Sequence, residues 1–253
     1  IGFGAGEPDF PTPSHVIEEV KIASENPAYH KYTAVGGLPI LRDEISRTTK
    51  KYSNFEIDPD NVVVTNGGKQ AILTTFMSLL DPGDEVLIPS PYWTTYPEAV
   101  KISGGDPVVV DTDFENDFKV TVEQLEEKFT EKTKVLVWVS PSNPTGVVYS
   151  KEEAEEIYNW AFDKNIWILS DELYEHLVYE GVTSPSPATI DKNLEKTIVV
   201  NGVAKAYSMT GWRVGWIMGN DDVIGLSKKI QSHATSNVCL LYTSDAADEI
   251  ASV

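Results

Sequence analysis

Short apolar runs alternate with amphipathic stretches along this 253-residue chain. Runs rich in β-branched residues predict strands at 62–65, 85–89, 108–110, 134–139, 166–170, 197–200 and 214–218. Helical spacing and capping residues predict helices at about 14–24, 69–80, 92–102, 122–129, 151–164 and 221–232. The run at 134–139 has no polar alternation, which predicts a strand that is buried on both faces. Together these elements predict an α/β sheet with helices on its faces.

Composition and charge narrow the classes of partner. Hydrophobic residues make up 41% of the chain, an ordinary share for a globular protein. The net charge is −19 and the pI is about 4.5, so the protein's field repels nucleic acid and anionic membranes, and we expect neither as a partner. No apolar run reaches the roughly 20 residues that span a bilayer. The single cysteine excludes an internal disulfide and is typical of a reducing compartment, which predicts a cytoplasmic protein.

Two basic residues after the strand at 197–200 suggest a particular chemistry. Lys205 follows this strand closely, and Arg213 lies eight positions later in a turn bracketed by glycines. A lysine amine forms an imine with an aldehyde, and a guanidinium holds a phosphate through two parallel hydrogen bonds. Pyridoxal 5'-phosphate carries both groups. Taken alone, the same two residues are more often a surface lysine and a structural arginine.

Polar side chains also follow two of the predicted strands. Asp171 ends the strand at 166–170, and Tyr174 comes three residues later. Asn143 lies in a turn rich in proline and glycine after the strand at 134–139. Open α/β sheets bind ligands at the carboxyl ends of their strands, so we expect these side chains to share a site.

Further segments, in the same order and spacing, complete a resemblance to the fold-type I aminotransferases, the aspartate aminotransferase family of class I. The matching segments begin at Gly4, Tyr32, Gly67 and Ser90, and the resemblance runs from residue 1 to about Val238. It implies a fold-type I large domain with a mostly parallel seven-stranded sheet, helices on both faces, truncation at both ends, and a homodimer in the full-length protein. It also implies cis peptide bonds before Pro91 and Pro144.

The resemblance divides the chain into three parts. Residues 1–30 would be a partial N-terminal, small-domain segment, and 31–238 the domain that binds pyridoxal phosphate. Residues 239–249 resemble the translation of a transposon adapter used in sequencing libraries. The hypothesis is therefore that 239–253 is a non-native tail and that Cys239 is not a biological cysteine.

The resemblance assigns catalytic roles to three residues. Lys205 would form the Schiff base with the cofactor and move the proton at the substrate Cα. Asp171 would lie beneath the pyridinium nitrogen and keep it protonated. Tyr174, together with Asn143, would donate to the phenolate oxygen of the ring.

The remaining roles concern the phosphate and the substrate. Backbone N–H groups at Gly67, Gly68 and Lys69 would hold the phosphate with Arg213. Trp93 would stack on the ring, and Tyr32 would reach the phosphate of the neighbouring subunit. Relatives carry serines where this chain has Gly202 and Ala204, so fewer hydroxyl contacts to the phosphate are expected. The substrate would contact Gly6, Trp93 and Asn143, and Lys69 would meet the distal carboxylate of aspartate or prephenate; no metal is implied.

The sequence therefore predicts an aminotransferase that moves an amino group from an L-amino acid to a 2-oxo acid. Aspartate is the expected donor, with the prephenate and glutamate pair as a further substrate pair. Two alternatives stay open: a pyridoxal-phosphate lyase acting at Cβ, and the aminotransferase-like sensor domain of a regulator. Because the arginine that clamps the α-carboxylate in relatives lies in the missing C-terminal part, we expect the 253-residue chain itself to have little activity.

Overall fold

The computed structural model describes residues 6–179 and 181–243. Over these residues the strands are β1 (Val62–Thr65), β2 (Glu85–Pro89), β3 (Asp106–Val110), β4 (Thr133–Val139), β5 (Trp167–Asp171), β6 (Thr197–Gly202) and β7 (Gly215–Met218). The α-helices are α1 (Ser14–Ser24), α2 (Pro39–Thr48), α3 (Gly68–Leu79), α4 (Thr95–Ile102), α5 (Val122–Lys128), α6 (Lys151–Asp163) and α7 (Asp221–Ala234).

The strands form one sheet in the order β1-β7-β6-β5-β4-β2-β3. Strands β2 to β6 run parallel, whereas β7 is antiparallel to both of its neighbours, β1 and β6. Val139 of β4 pairs with Asp171 of β5, which pairs in turn with Val200 of β6. The carboxyl ends of these three strands therefore lie side by side. The mostly parallel seven-stranded sheet predicted from the sequence is confirmed.

Helices cover both faces of the sheet, as predicted. Successive side chains of a strand point to opposite faces, and β2 shows this clearly. Val86 and Ile88 pack with residues of α3, α4 and α7, whereas Leu87 packs with residues of α5 and α6. Strand β4 is almost continuously buried, which confirms the interpretation of its unbroken apolar run.

Most predicted elements occur within one to three residues of their expected bounds, but helix α2 was not predicted. Its only fully buried apolar side chains are Leu41 and Ile45, and polar residues fill much of the rest. The available signals were Pro39 in the first turn and the i, i+4 spacing of these two residues. Helix α4 begins at Thr95 instead of residue 92, after the cis bond at Ser90–Pro91.

The cis bonds expected at Ser90–Pro91 and Asn143–Pro144 are both present, and Ser140–Pro141 is cis as well. The division into 1–30, 31–238 and 239–253 stays a prediction. Residues 1–5 of the first part and 244–253 of the last lie outside the described residues. Within the described ranges, no helix combines the length and apolar character that a bilayer crossing requires.

Candidate active site

A cavity of about 360 Å³ lies at the carboxyl ends of β4, β5 and β6. It is lined by the predicted residues Gly6, Gly68, Lys69, Trp93, Asn143, Asp171, Tyr174, Lys205 and Arg213, and also by Tyr96, Leu173, Ala204 and Thr210. Of the residues predicted for the site, only Gly67 and Tyr32 are not part of this lining. The fold thus brings side chains from distant parts of the sequence to the sheet edge where open α/β proteins bind ligands.

Asp171, the last residue of β5, is held at the base of the cavity with only 5% of its surface exposed. Tyr96 Oη donates to its Oδ2 at 2.7 Å, and the backbone N–H of Leu173 donates to its Oδ1 at 3.3 Å. Burial raises the pKa of Asp171, whereas the two hydrogen bonds and nearby Lys205 act in the opposite direction. A desolvated carboxylate of this kind binds a cationic N–H group strongly.

Lys205 lies three residues after β6, and its amine enters the same cavity. Partial burial lowers the pKa of Lys205, as does Arg213, while Glu7 and Asp171 oppose the shift. The amine lies 5.5 Å from the centre of the Tyr174 ring and donates a hydrogen bond to the carbonyl of Gly6. A lowered pKa increases the neutral fraction of the amine, which is the nucleophilic form.

The start of α3 and the guanidinium of Arg213 face each other at one end of the cavity. Gly67 precedes the helix with φ +81°, a conformation that favours glycine, and a Cβ there would lie 2.5 Å from Arg213 Nη2. Arg213 itself adopts φ +57° and donates to the carbonyl of Thr210 at 2.8 Å. A guanidinium placed against the positive end of a helix favours a bound anion such as a phosphate.

Trp93 and Lys69 form another wall of the cavity. The Lys69 amine lies 4.9 Å from the centre of the Trp93 ring, and the Trp93 ring meets that of Tyr96 edge-to-face at 5.7 Å. Lys69 is exposed, and this cation–π contact holds its charged amine beside the Trp93 ring. The wall therefore combines an aromatic face with a cation able to bind a carboxylate.

Comparisons with known proteins agree with this geometry. The family model "Aminotransferase class I and II" matches residues 1–251. The chain belongs to this aminotransferase family. The resemblance read from the motifs is thereby confirmed.

Three related proteins show how far the aminotransferase likeness extends. The aspartate aminotransferase of Streptomyces avermitilis is 56% identical over 239 residues, which are 94% of this chain and 59% of that protein. The probable aspartate/prephenate aminotransferase of Rickettsia typhi is 46% identical over 241 residues, 94% of this chain and 60% of that protein. The aromatic aminotransferase of Pyrococcus horikoshii superposes with a TM-score of 0.95 at 37% identity, over 98% of this chain and 66% of that one. The chain spans about 60% of the length of the curated relatives.

Two features of this aminotransferase chain lie apart from the cavity lining. Tyr32 is 90% exposed, so its predicted reach to a neighbouring subunit stays a prediction. At Gly202, a Cβ would lie 2.8 Å from the carbonyl oxygen of Val214, so a serine would not fit there without a backbone shift. The expectation of few hydroxyl contacts at this position therefore has a steric basis.

Tyr96 is the main site residue that the sequence reasoning missed. It is buried and donates to Asp171, but in the sequence it occupies an apolar position of α4 together with Ala99 and Val100. That spacing indicates a core tyrosine. The signal that could have identified Tyr96 is its position three residues after Trp93, near the start of α4.

Proposed function

We propose that this chain carries the pyridoxal-phosphate site of an aminotransferase, and that the enzyme moves an amino group from L-aspartate to a 2-oxo acid. The observation that carries the proposal is one cavity holding a lysine with a lowered pKa, a buried carboxylate, and an arginine placed against a helix start. No feature of the residues described in the structure favours the Cβ lyase or the sensor domain.

The residues present fit pyridoxal phosphate. Arg213 and the N–H groups that begin α3 would hold the phosphate, because Gly67 leaves the space between them that a Cβ would fill. Asp171 would face the ring nitrogen, and its burial strengthens a charge-assisted hydrogen bond to a cationic N–H. When bound, this cofactor supplies an aldehyde for capturing amines and a ring that accepts electrons from Cα.

Lys205 is the proposed nucleophile and the group that moves the proton at the substrate Cα. Burial keeps its pKa below the ordinary lysine value, so more of the amine can accept a proton at neutral pH. Tyr174 and Asn143, which both line this cavity, are proposed to donate to the phenolic oxygen of the ring. Their hydrogen bonds would favour the anionic form of that oxygen.

The position of Lys69 supports a substrate that carries a second carboxylate. The Lys69 amine lies over Trp93, where it could bind a distal carboxylate, and Trp93 would stack on the ring of the cofactor. The relative that is 56% identical is named an aspartate aminotransferase, and that from Rickettsia typhi an aspartate/prephenate one. Structural likeness does not choose among substrates, because the aromatic enzyme of Pyrococcus horikoshii superposes with a TM-score of 0.95 and the aspartate aminotransferase of Thermus thermophilus with one of 0.94. Aspartate is therefore the proposed donor, with the prephenate and glutamate pair second.

The wider assignments rest on the resemblance alone. The full protein is proposed to act as a homodimer in which Tyr32 reaches the phosphate site of the neighbouring subunit. A cytoplasmic location is proposed as well, and residues 239–253 are proposed to be a non-native tail.

Replacement of Lys205 tests the central proposal. With pyridoxal phosphate and borohydride, the protein should become labelled on Lys205, and mass spectrometry of its peptides locates the label. Made in the full-length protein, Lys205→Ala should lose both this label and transamination of aspartate with 2-oxoglutarate, the latter by several orders of magnitude. Lys101→Ala, which removes an exposed lysine paired with Glu98, is the control and should keep both. Labelling of another lysine in place of Lys205 would contradict the assignment.

A further inference from the structure

A chain of polar side chains lies behind the anion site at the start of α3. Gln70, in the first turn of α3, folds back so that its Oε1 accepts from the backbone N–H of Asn66 at 2.5 Å. Its Nε2 donates to Thr235 Oγ1 at 2.7 Å. A single amide thus connects the turn before the helix with the end of a different helix.

Thr235 is itself firmly placed, because it caps α7. Its N–H donates to the carbonyl of Gln231 at 3.0 Å. Gln231 is fully buried, and its Nε2 donates to the carbonyls of Val35 at 2.6 Å and Val64 at 2.8 Å. The end of α7 is therefore attached to β1 and to the segment that follows Tyr32, which makes it a rigid support for the Gln70 amide.

The Gln70 contact bears on both halves of the anion site. The N–H of Asn66 is taken by Gln70, and that of Gly67 donates to the carbonyl of Thr65 at 2.7 Å. The N–H groups that begin α3 are left as the donors for an anion. In addition, the carbonyl of Asn66 faces Arg213 Nη2 at 3.5 Å. The peptide unit held by Gln70 therefore also borders the arginine.

We propose that Gln70 and Thr235 are positioning residues for the phosphate-binding turn, Asn66 to Gly68, and for Arg213. Neither side chain needs to touch the phosphate. Gln70 sets the orientation of the turn, and Thr235 fixes Gln70 by accepting its second hydrogen bond. The inference rests on the proposed function, because it takes the anion to be the phosphate of pyridoxal phosphate.

The test compares affinity for pyridoxal phosphate with affinity for pyridoxal, which lacks the phosphate, by absorbance titration of the protein. Thr235→Val and Gln70→Met should each weaken binding of pyridoxal phosphate by about five- to tenfold, the worth of one hydrogen bond, and binding of pyridoxal by less than about twofold. Thr235→Ser keeps the hydroxyl and should behave like the original. The double variant should be no weaker than Gln70→Met, since both changes break one chain of contacts.

Ser232→Ala, which removes another hydroxyl near the end of α7, is the matched control and should change neither affinity. Equal losses for both ligands in Thr235→Val and Gln70→Met would mean a structural role, and no loss in either would mean no role; both results overturn the inference. If Thr235→Val does not fold, as judged by its circular dichroism, Gln70→Met alone decides. An original protein that binds the two ligands equally would overturn the phosphate site itself, and the proposed function with it.

Discussion

Asp171 and Glu172 are adjacent carboxyl groups at the end of β5, and their side chains have different surroundings. Both are buried, with 5% and 3% of their surfaces exposed. Asp171 faces the cavity and accepts from Tyr96 and from the N–H of Leu173. Glu172 instead accepts from the hydroxyls of Ser170 at 2.8 Å and Ser186 at 2.6 Å.

Neighbouring groups modify the effect that burial has on each of these two acids. Burial raises the pKa of both groups. At Asp171 a cation, Lys205, works against that shift, whereas at Glu172 the neighbouring Glu175 and Asp171 add to it and raise the pKa to about 8. The neighbours of Asp171 thus favour its carboxylate form, whereas the carboxylates near Glu172 favour the neutral acid.

The sharpest test exchanges each acid for its amide. Asp171→Asn should lower transamination of aspartate at least about a thousandfold, on the order of 4 kcal/mol, because an amide cannot hold a proton on the ring nitrogen. Glu172→Gln, made beside it, should change the rate by less than about threefold, because its neutral side chain already resembles an amide. Initial rates with 2-oxoglutarate measure both.

Two results would break this contrast. A loss below about tenfold in Asp171→Asn would make Asp171 a structural residue, since one ordinary hydrogen bond accounts for that much. A loss in Glu172→Gln as large as that in Asp171→Asn would show that both acids belong to the site.

Sequence reasoning identified Asp171 but not the role of Glu172, and the reason is physical. An acid at the end of an apolar strand lies where α/β proteins bind ligands, so position alone indicates Asp171. The burial of Glu172 depends on Ser186, fourteen residues later in an irregular segment, and no periodicity reveals that contact. Tyr96 was missed for a related reason, because its spacing in α4 is that of an ordinary core residue.

The same distinction applies to the fold. Apolar runs predicted all seven strands of the described chain, because a strand that is buried on both faces, such as β1, β6 or β7, needs them. The edge strand β3 is only partly buried. Helix α2 escaped prediction because it buries only a narrow stripe around Leu41 and Ile45. The glycine turn at Gly67 was predicted from the motif, whereas its φ of +81° and its closeness to the Arg213 guanidinium are features of the folded chain.

The pH dependence of the free energy of unfolding tests the protonation of Glu172. Its pKa in the folded state is about 8, above the ordinary value of 4.5, so between these values the folded protein keeps a proton that the unfolded chain releases. The contribution of Glu172 to the free energy of unfolding therefore falls as pH rises, by up to about 1.4 kcal/mol per pH unit between these two pKa values. Glu172→Gln removes the effect, so its stability relative to the original should increase by on the order of 2–3 kcal/mol from about pH 5 to pH 7.5.

Urea unfolding at a series of pH values measures this difference. Glu127→Gln, at an exposed position on α5, is the control and should show a nearly constant difference. A Glu172→Gln curve that stays parallel to the original would mean that Glu172 is ionised in the fold, and the contrast with Asp171 would be lost.

Tyr96→Phe is expected to have the smallest effect. It tests how much of the difference between Asp171 and Glu172 depends on the Tyr96 hydroxyl. The Tyr96 hydrogen bond lowers the pKa of Asp171 against the effect of burial, so its loss should raise that pKa further. Less carboxylate would then be present at acid pH, so the rate should fall more at acid than at alkaline pH. The acid limb of the pH–rate profile should move upward. Tyr149→Phe, which removes a buried hydroxyl bonded to the N–H of Val120, is the matched control and should leave that limb in place. A loss in Tyr96→Phe that is uniform with pH would show that Tyr96 only packs against Asp171, and burial and Lys205 alone would then set the charge of this acid.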